Sequence, residues 1–141
     1  MNRPIKFRAE SVGEGYGQWV YGYVFKTPLT IENFGAGSFD SPIGRWCIAT
    51  EQGVVYEIDI KTLGQFTGLL DKNGKEIYEE DIVRYDNGLG NSTLELIKWS
   101  HHGACWVKGD GNWDDDGFTE WRTKEVEIIG NVMENPELLK R

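Results

Sequence analysis

Cysteine is scarce in this chain: Cys47 and Cys105 are the only two in 141 residues and stand far apart. A disulfide framework is thereby excluded, and both read as free thiols on strands in a reducing cytoplasm. No apolar run approaches the roughly 18 residues a membrane-spanning helix requires. No apolar signal core precedes the first strand, so the expectation is a soluble, cytoplasmic protein. Surplus positive charge is lacking too, since the formal net charge is −8. Residues 1–70 carry 6 basic and 7 acidic side chains, which leaves 9 and 16 of the totals of 15 and 23 for residues 71–141. A polyanion or an anionic bilayer is repelled by that second half.

Complete catalytic motifs are also missing. The chain has no Ser-centred nucleophile elbow and no His-Glu-x-x-His pair. Gly13-Glu14-Gly15-Tyr16-Gly17 lacks the following helix of a dinucleotide fingerprint and the Lys-Ser/Thr pair of a phosphate loop, because Trp19 onward is strand-like.

What is present is β pattern. At this length the chain reads as one domain with a real core, since about 150 residues bury roughly 68–70% of their unfolded surface. Ile5, Phe7 and Ala9 alternate with Lys6 and Arg8 as a half-buried first strand. In Trp19–Phe25 the aromatic residues Trp19, Tyr21, Tyr23 and Phe25 share one face and Val20, Gly22 and Val24 the other. The aromatic row is expected to face the core, with stacking on a base or sugar as the functional alternative. The stretch from Lys26 to Gly44, rich in Gly and Pro, reads as a long mobile or partner-facing insertion. Arg45–Ala49 and Val54–Ile60 form a hairpin about Glu51-Gln52-Gly53, with Val54, Tyr56, Ile58 and Ile60 inward and Glu57 and Asp59 toward water.

The clearest commitment is at Gly64–Tyr85. Asp71-Lys72-Asn73-Gly74 carries a turn, because Asp and Asn tolerate left-handed backbone angles and Gly adopts them without a Cβ clash. Phe66–Leu70 and Glu76–Tyr78 flank it as strands. A cation site at Asp71, Asn73 and Glu76 is the competing reading. Beyond it, strands are expected at Asp81–Tyr85, Thr93–Trp99, Ala104–Lys108, Phe118–Trp121 and Val126–Ile129, with a turn at Asp86–Asn91. Short strands at this spacing predict a mainly β protein of small barrel-like or sandwich units, the C-terminal half resembling an SH3-type barrel. The working division is an N-terminal β half of about 1–63, a central hairpin of about 64–85 and a C-terminal half of about 86–141. Asn135-Pro136-Glu137-Leu138-Leu139 ends the chain as a helical turn, with Asn135 as N-cap and Pro136 in the first helical position.

Gln65-Phe66-Thr67-Gly68-Leu69, Asp71 through Glu79 and Asp81-Ile82-Val83 together resemble the signature of the YopX family, small proteins found mainly in phages and prophages. Ile5-Lys6-Phe7-Arg8-Ala9 near the start, Val126–Val132 and Glu134–Leu139 at the close extend that resemblance across the chain. It implies no catalytic residue and an unassigned biochemical role. Glu80 stands where the family pattern has Gly, which reads as a backbone outside glycine-only conformations. Glu10-Ser11 replaces an aromatic of the family pattern.

Three constellations carry chemistry. His101, His102 and Cys105 offer zinc ligands, though a structural site needs four. Asp110, Asn112 and Asp114 resemble the start of a calcium loop, but Asp115 stands where Gly is needed and Trp121 where Glu is needed. Asp114 or Asp116 acting with His101 or His102 would make an acid–base pair if the two loops meet. Against these stands binding without chemistry, through six tryptophans, of which Trp19, Trp46, Trp113 and Trp121 are the candidate surface. A basic-aromatic face of Lys6, Arg8, Lys26 and Arg45 with Trp19 and Trp46 is the nucleic-acid alternative. The reading that results is an accessory protein that binds a host or phage protein or a second copy of itself, with no cofactor and no membrane, nucleic acid being the disfavoured partner.

Overall fold

The computed structural model describes residues 4–13, 17–27, 45–86, 88–100, 105–109 and 125–139. Its contacts divide the chain between Gly64 and Gln65 into two units. The fold is mainly β: the described residues form antiparallel strands with 3-10 turns, and none of their helices is long and apolar enough to cross a membrane.

In the N-terminal unit, β1 (Phe7–Glu10), β2 (Trp19–Lys26), β3 (Trp46–Ala49) and β4 (Val55–Glu57) lie in the spatial order β4-β3-β2-β1. β1 and β2 pair from Phe7–Gly22 to Glu10–Trp19. β2 and β3 pair only from Tyr23–Ala49 to Lys26–Trp46. The core beneath one side is Ala9, Val20, Ile48 and Ile58, with Phe7, Val24, Tyr56 and Leu63 packed on it. Ser11 bridges Ile58. Val12 N–H donates to the Glu57 carbonyl at 2.9 Å, and Asp59 N–H to the Glu10 carbonyl at 2.9 Å. These bonds tie the tail of β1 to the chain just past β4, so the sheet curls back on itself and that part of the β4 edge is paired.

The strand expected over Val54–Ile60 stops at Glu57. Asp59 ends it: its carboxylate accepts from Lys61 N–H at 3.0 Å, and its carbonyl from the Thr62 hydroxyl at 2.7 Å. Ile60–Thr62 therefore turns as a 3-10 helix, leaving Ile60 exposed rather than inward; Val54, just before β4, is exposed as well. Thr62 Oγ1 also accepts from Glu10 N–H at 2.8 Å, fixing this turn to β1. Ile5 precedes β1 and is exposed, unlike Phe7 and Ala9.

In the C-terminal unit, β5 (Gly64–Leu70) and β6 (Glu76–Tyr78) form the expected hairpin. β7 (Asp81–Asp86), β8 (Ser92–Ser100), β9 (Cys105–Gly109) and β10 (Val126–Asn131) make a sheet in the order β10-β7-β8-β9. Ile77, Val83, Ile97 and Val126 are its fully buried centre, with Leu69, Tyr85 and Ile128 against them. Phe66 and Tyr78 meet across the hairpin with ring centroids 5.4 Å apart. The segment 110–124, which holds the expected strand Phe118–Trp121 and any closure into an SH3-type barrel, lies outside the described residues.

Asp71 organises this unit. One carboxylate oxygen accepts from the N–H groups of Asn73 and Lys75, each at 2.9 Å. The other accepts from Ile128 N–H at 3.1 Å, and Lys72 N–H reaches the Val126 carbonyl at 2.9 Å, so the turn is sewn to β10. Both carboxylate oxygens thus face N–H donors, the arrangement of a turn residue rather than a cation ligand.

The chain passes from β6 to β7 through Glu79-Glu80, where the buried Asp81 carboxylate accepts from Tyr78 N–H at 2.8 Å. Glu80 has φ of +72°, which corrects the expectation that its backbone avoids the glycine region. Its N–H donates to the Ile97 carbonyl and its carbonyl accepts from Val132 N–H, and these bonds hold it there. At the chain's end Pro136–Leu139 is a 3-10 turn with Leu138 N–H bonded to the Asn135 carbonyl, and Leu138 and Leu139 are half-buried.

Candidate binding surface

The side of the N-terminal sheet away from its core carries the aromatic row of β2. Tyr21, Tyr23 and Phe25 are 46%, 58% and 38% exposed, and Trp19 is half-buried beside them. The row was expected to face the core; instead Val20, Gly22 and Val24 do. The register supplies the reason. Arg8 and Glu10 stand opposite Tyr21 and Trp19, giving that side a polar margin, whereas Ala9 stands opposite Val20 and Ile48 opposite Val24. A Cβ on Gly22 would lie 2.0 Å from the Ala49 carbonyl oxygen, a distance only glycine permits.

Two cations fix aromatic rings. The Arg8 guanidinium lies 4.9 Å from the Trp19 ring centroid, and the Lys26 ammonium 5.6 Å from that of Trp46. Arg8 is itself buried. Arg45 pairs with Glu57 at 3.3 Å, an exposed bridge that neutralises both charges and adds little stability. Lys26 and Trp46 pair two positions beyond Val24 and Ile48, so by strand alternation they belong to the core-facing side, past the end of the core. Trp19 and Trp46 therefore lie on opposite sides of one sheet. The basic-aromatic face of Lys6, Arg8, Lys26 and Arg45 is not assembled as a single surface.

Val55 stands opposite Ala49, which stands opposite Tyr23, so Val55 joins Tyr23 and Phe25 on the outer side; it is 55% exposed. Cys47, opposite Phe25, is a free thiol buried beneath these neighbours, its Sγ 3.7 Å from the Arg45 carbonyl. Burial pushes its pKa above the ordinary thiol value; Glu57 adds to the rise and Arg45 opposes it. A thiol in that state is inert.

Of the residues singled out in the sequence, Trp19 belongs to this surface and Trp46 to the other side. Trp113, Trp121, His101, His102, Asp110, Asp114 and Asp116 lie outside the described residues, and of Cys105 only its place at the start of β9 is described. Among the described residues, no three His, Cys, Asp or Glu side chains group as metal ligands would. Tyr21, Tyr23 and Phe25, read from the sequence as core with stacking as the alternative, and Val55, not singled out there, are exposed on this side. The signal available in the sequence was Arg8 and Glu10, which stand opposite Tyr21 and Trp19, whereas the apolar Ala9 stands opposite Val20.

Comparison with known proteins gives a family and similar solved structures. The family model described as YopX protein matches residues 40–140. The chain is similar to protein EF1440 from Enterococcus faecalis, whose crystal structure it matches with a TM-score of 0.54 at 27% sequence identity, covering 97% of this chain and 99% of that one. No curated protein matches.

Proposed function

The chain belongs to the YopX family, and from that premise we propose that it is a phage- or prophage-encoded accessory protein of the bacterial cytoplasm that acts by binding. Its occupant is a second copy of the same chain, seated on the outer side of β2. The observation that carries this reading is the exposed group Tyr23 and Phe25 on β2 and Val55 on β4, three large apolar side chains on one side of the sheet, separated by β3 and facing away from the core. Aromatic side chains grouped in this way are the usual centre of a protein interface. The flanking Arg45–Glu57 pair supports a symmetric contact, because a patch holding both signs can meet its own copy about a twofold axis.

Sedimentation velocity tests it. The parent chain is expected to sediment as an oligomer. Tyr23→Thr with Phe25→Thr, which keeps strand propensity while removing aromatic area, is expected to sediment as a monomer with its circular dichroism unchanged. A parent chain that is monomeric at every concentration would sink the reading.

A further inference from the structure

Asn73-Gly74 sits at the tip of the β5–β6 hairpin, with both residues exposed to solvent. Asparagine is a chemically labile residue, and most so before glycine. The backbone nitrogen of the following residue can attack the side-chain amide, and a glycine, having no Cβ, obstructs that approach least. Here hydrogen bonds hold the attacking nitrogen in place. Gly74 N–H donates to the Asp71 carbonyl at 3.0 Å, and Asp71 N–H donates to the Lys75 carbonyl at 2.8 Å, closing the turn with Gly74 at a φ of +80°. The amides on either side of it, of Asn73 and Lys75, both donate to one oxygen of the Asp71 carboxylate. Three consecutive N–H groups are thus committed to Asp71, so the Gly74 nitrogen can neither shed its proton to solvent nor swing toward the Asn73 side chain until the turn opens.

We propose that Asn73 is a site of spontaneous modification: it converts to isoaspartate when this turn opens, and the product keeps the turn from closing again. A bond forms between the Gly74 nitrogen and Cγ of Asn73, the Cγ–Nδ2 bond breaks, and the side-chain nitrogen leaves as ammonia with the proton that Gly74 loses. Solvent water then opens the cyclic imide, and nothing is oxidised or reduced. Addition at Cγ leaves an aspartate; addition at the main-chain carbonyl carbon of Asn73 leaves isoaspartate, whose main chain runs through Cβ and is one carbon longer. That extra carbon separates the Asn73 and Lys75 amides, which can then no longer share one carboxylate oxygen. The other oxygen of that carboxylate accepts from Ile128 N–H at 3.1 Å, so the lesion reaches β10. Self-association through Tyr23, Phe25 and Val55 has no part in this step, and each can fail alone.

The test is incubation of the full chain at mildly alkaline pH, folded in buffer and unfolded in guanidinium chloride, with isoaspartate at position 73 followed by peptide mapping. It is expected to form at least about tenfold more slowly in the folded chain, because a local opening must come first. Hydrogen exchange of the Gly74 amide reads that opening directly, and its protection is expected to be of the same order as the slowing. Equal rates in the folded and unfolded chains overturn the proposal, as does fast conversion beside a protected Gly74 amide. The isoaspartate form, isolated from the unfolded sample and refolded, is expected to unfold at lower denaturant concentration than the parent and to show a displaced Ile128 amide signal. A parent-like midpoint with Ile128 unmoved would overturn it equally.

Discussion

The carboxylate of Asp71 accepts a hydrogen bond from the backbone N–H of Ile128, 57 residues further along the chain. A side chain that reads as a local turn former thus also fixes the hairpin to β10. Asp71 is buried and serves three N–H donors, so Asp71→Ala leaves those donors without their acceptor. The expected loss is about 3 kcal/mol, read from the urea midpoint. Asp71→Asn keeps one acceptor oxygen and should lose roughly half as much. A loss under about 0.5 kcal/mol for the alanine variant, the range of ordinary surface changes, would show that the tie to β10 carries no weight.

Glu80 occupies a left-handed conformation that suits glycine. Glu80→Gly should stabilise the C-terminal unit by about 1 kcal/mol, the left-handed penalty of an L-residue less the extra chain entropy of glycine. Both backbone bonds of residue 80 survive the change. Thermal unfolding checks it, and an unchanged or lower midpoint would mean that the Glu80 side chain supplies a compensating contact.

Glu79 gives the stability a pH dependence of known sign. Burial raises its pKa above the ordinary carboxylate value and Glu80 adds to the rise, while a backbone hydrogen bond at Gln65 opposes it. Between the ordinary value, roughly 4.3, and the raised folded value, the folded state binds more proton than the unfolded one. This group's contribution is therefore fully present below the ordinary value and is lost as pH rises through the folded one. Glu79→Gln cannot ionise. It should be more stable than the parent at neutral pH, with the advantage vanishing below about pH 4, as measured by urea unfolding across that range. Parallel pH profiles for the two proteins would refute the assignment.

Much of the strand order was legible because its determinants are local. Asp71-Lys72-Asn73-Gly74 specifies a turn whatever surrounds it, and the alternation of β2 specifies two faces. Which face turns inward is not local. It goes with the register, which sets the apolar Ala9 and Ile48 of neighbouring strands opposite Val20 and Val24. Size pointed the wrong way: the four aromatic residues carry the larger apolar area, yet Val20 and Val24 are the residues that join the core. The end of β4 was misread for a different reason. Asp59 accepts from Lys61 N–H and from the Thr62 hydroxyl, and these bonds outweigh the apolar alternation of Val54–Ile60. At Glu80 the family pattern had the right information, a glycine position, and the residue type was given more weight than the backbone it must fit.

The bridge between Ser11 and Ile58 bears on how the protein is made. A nascent chain leaves the ribosome from its N-terminus, so the segment around Ser11 emerges well before its partner exists. At roughly 5–20 residues per second the interval lasts seconds, and pairing over such a sequence separation is intrinsically slow. Throughout it the tail of β1 offers unpaired N–H and C=O groups to any neighbouring strand, the exposure from which aggregation starts. The tail of β1 is hence an edge that the newborn chain leaves open until the residues past β4 arrive.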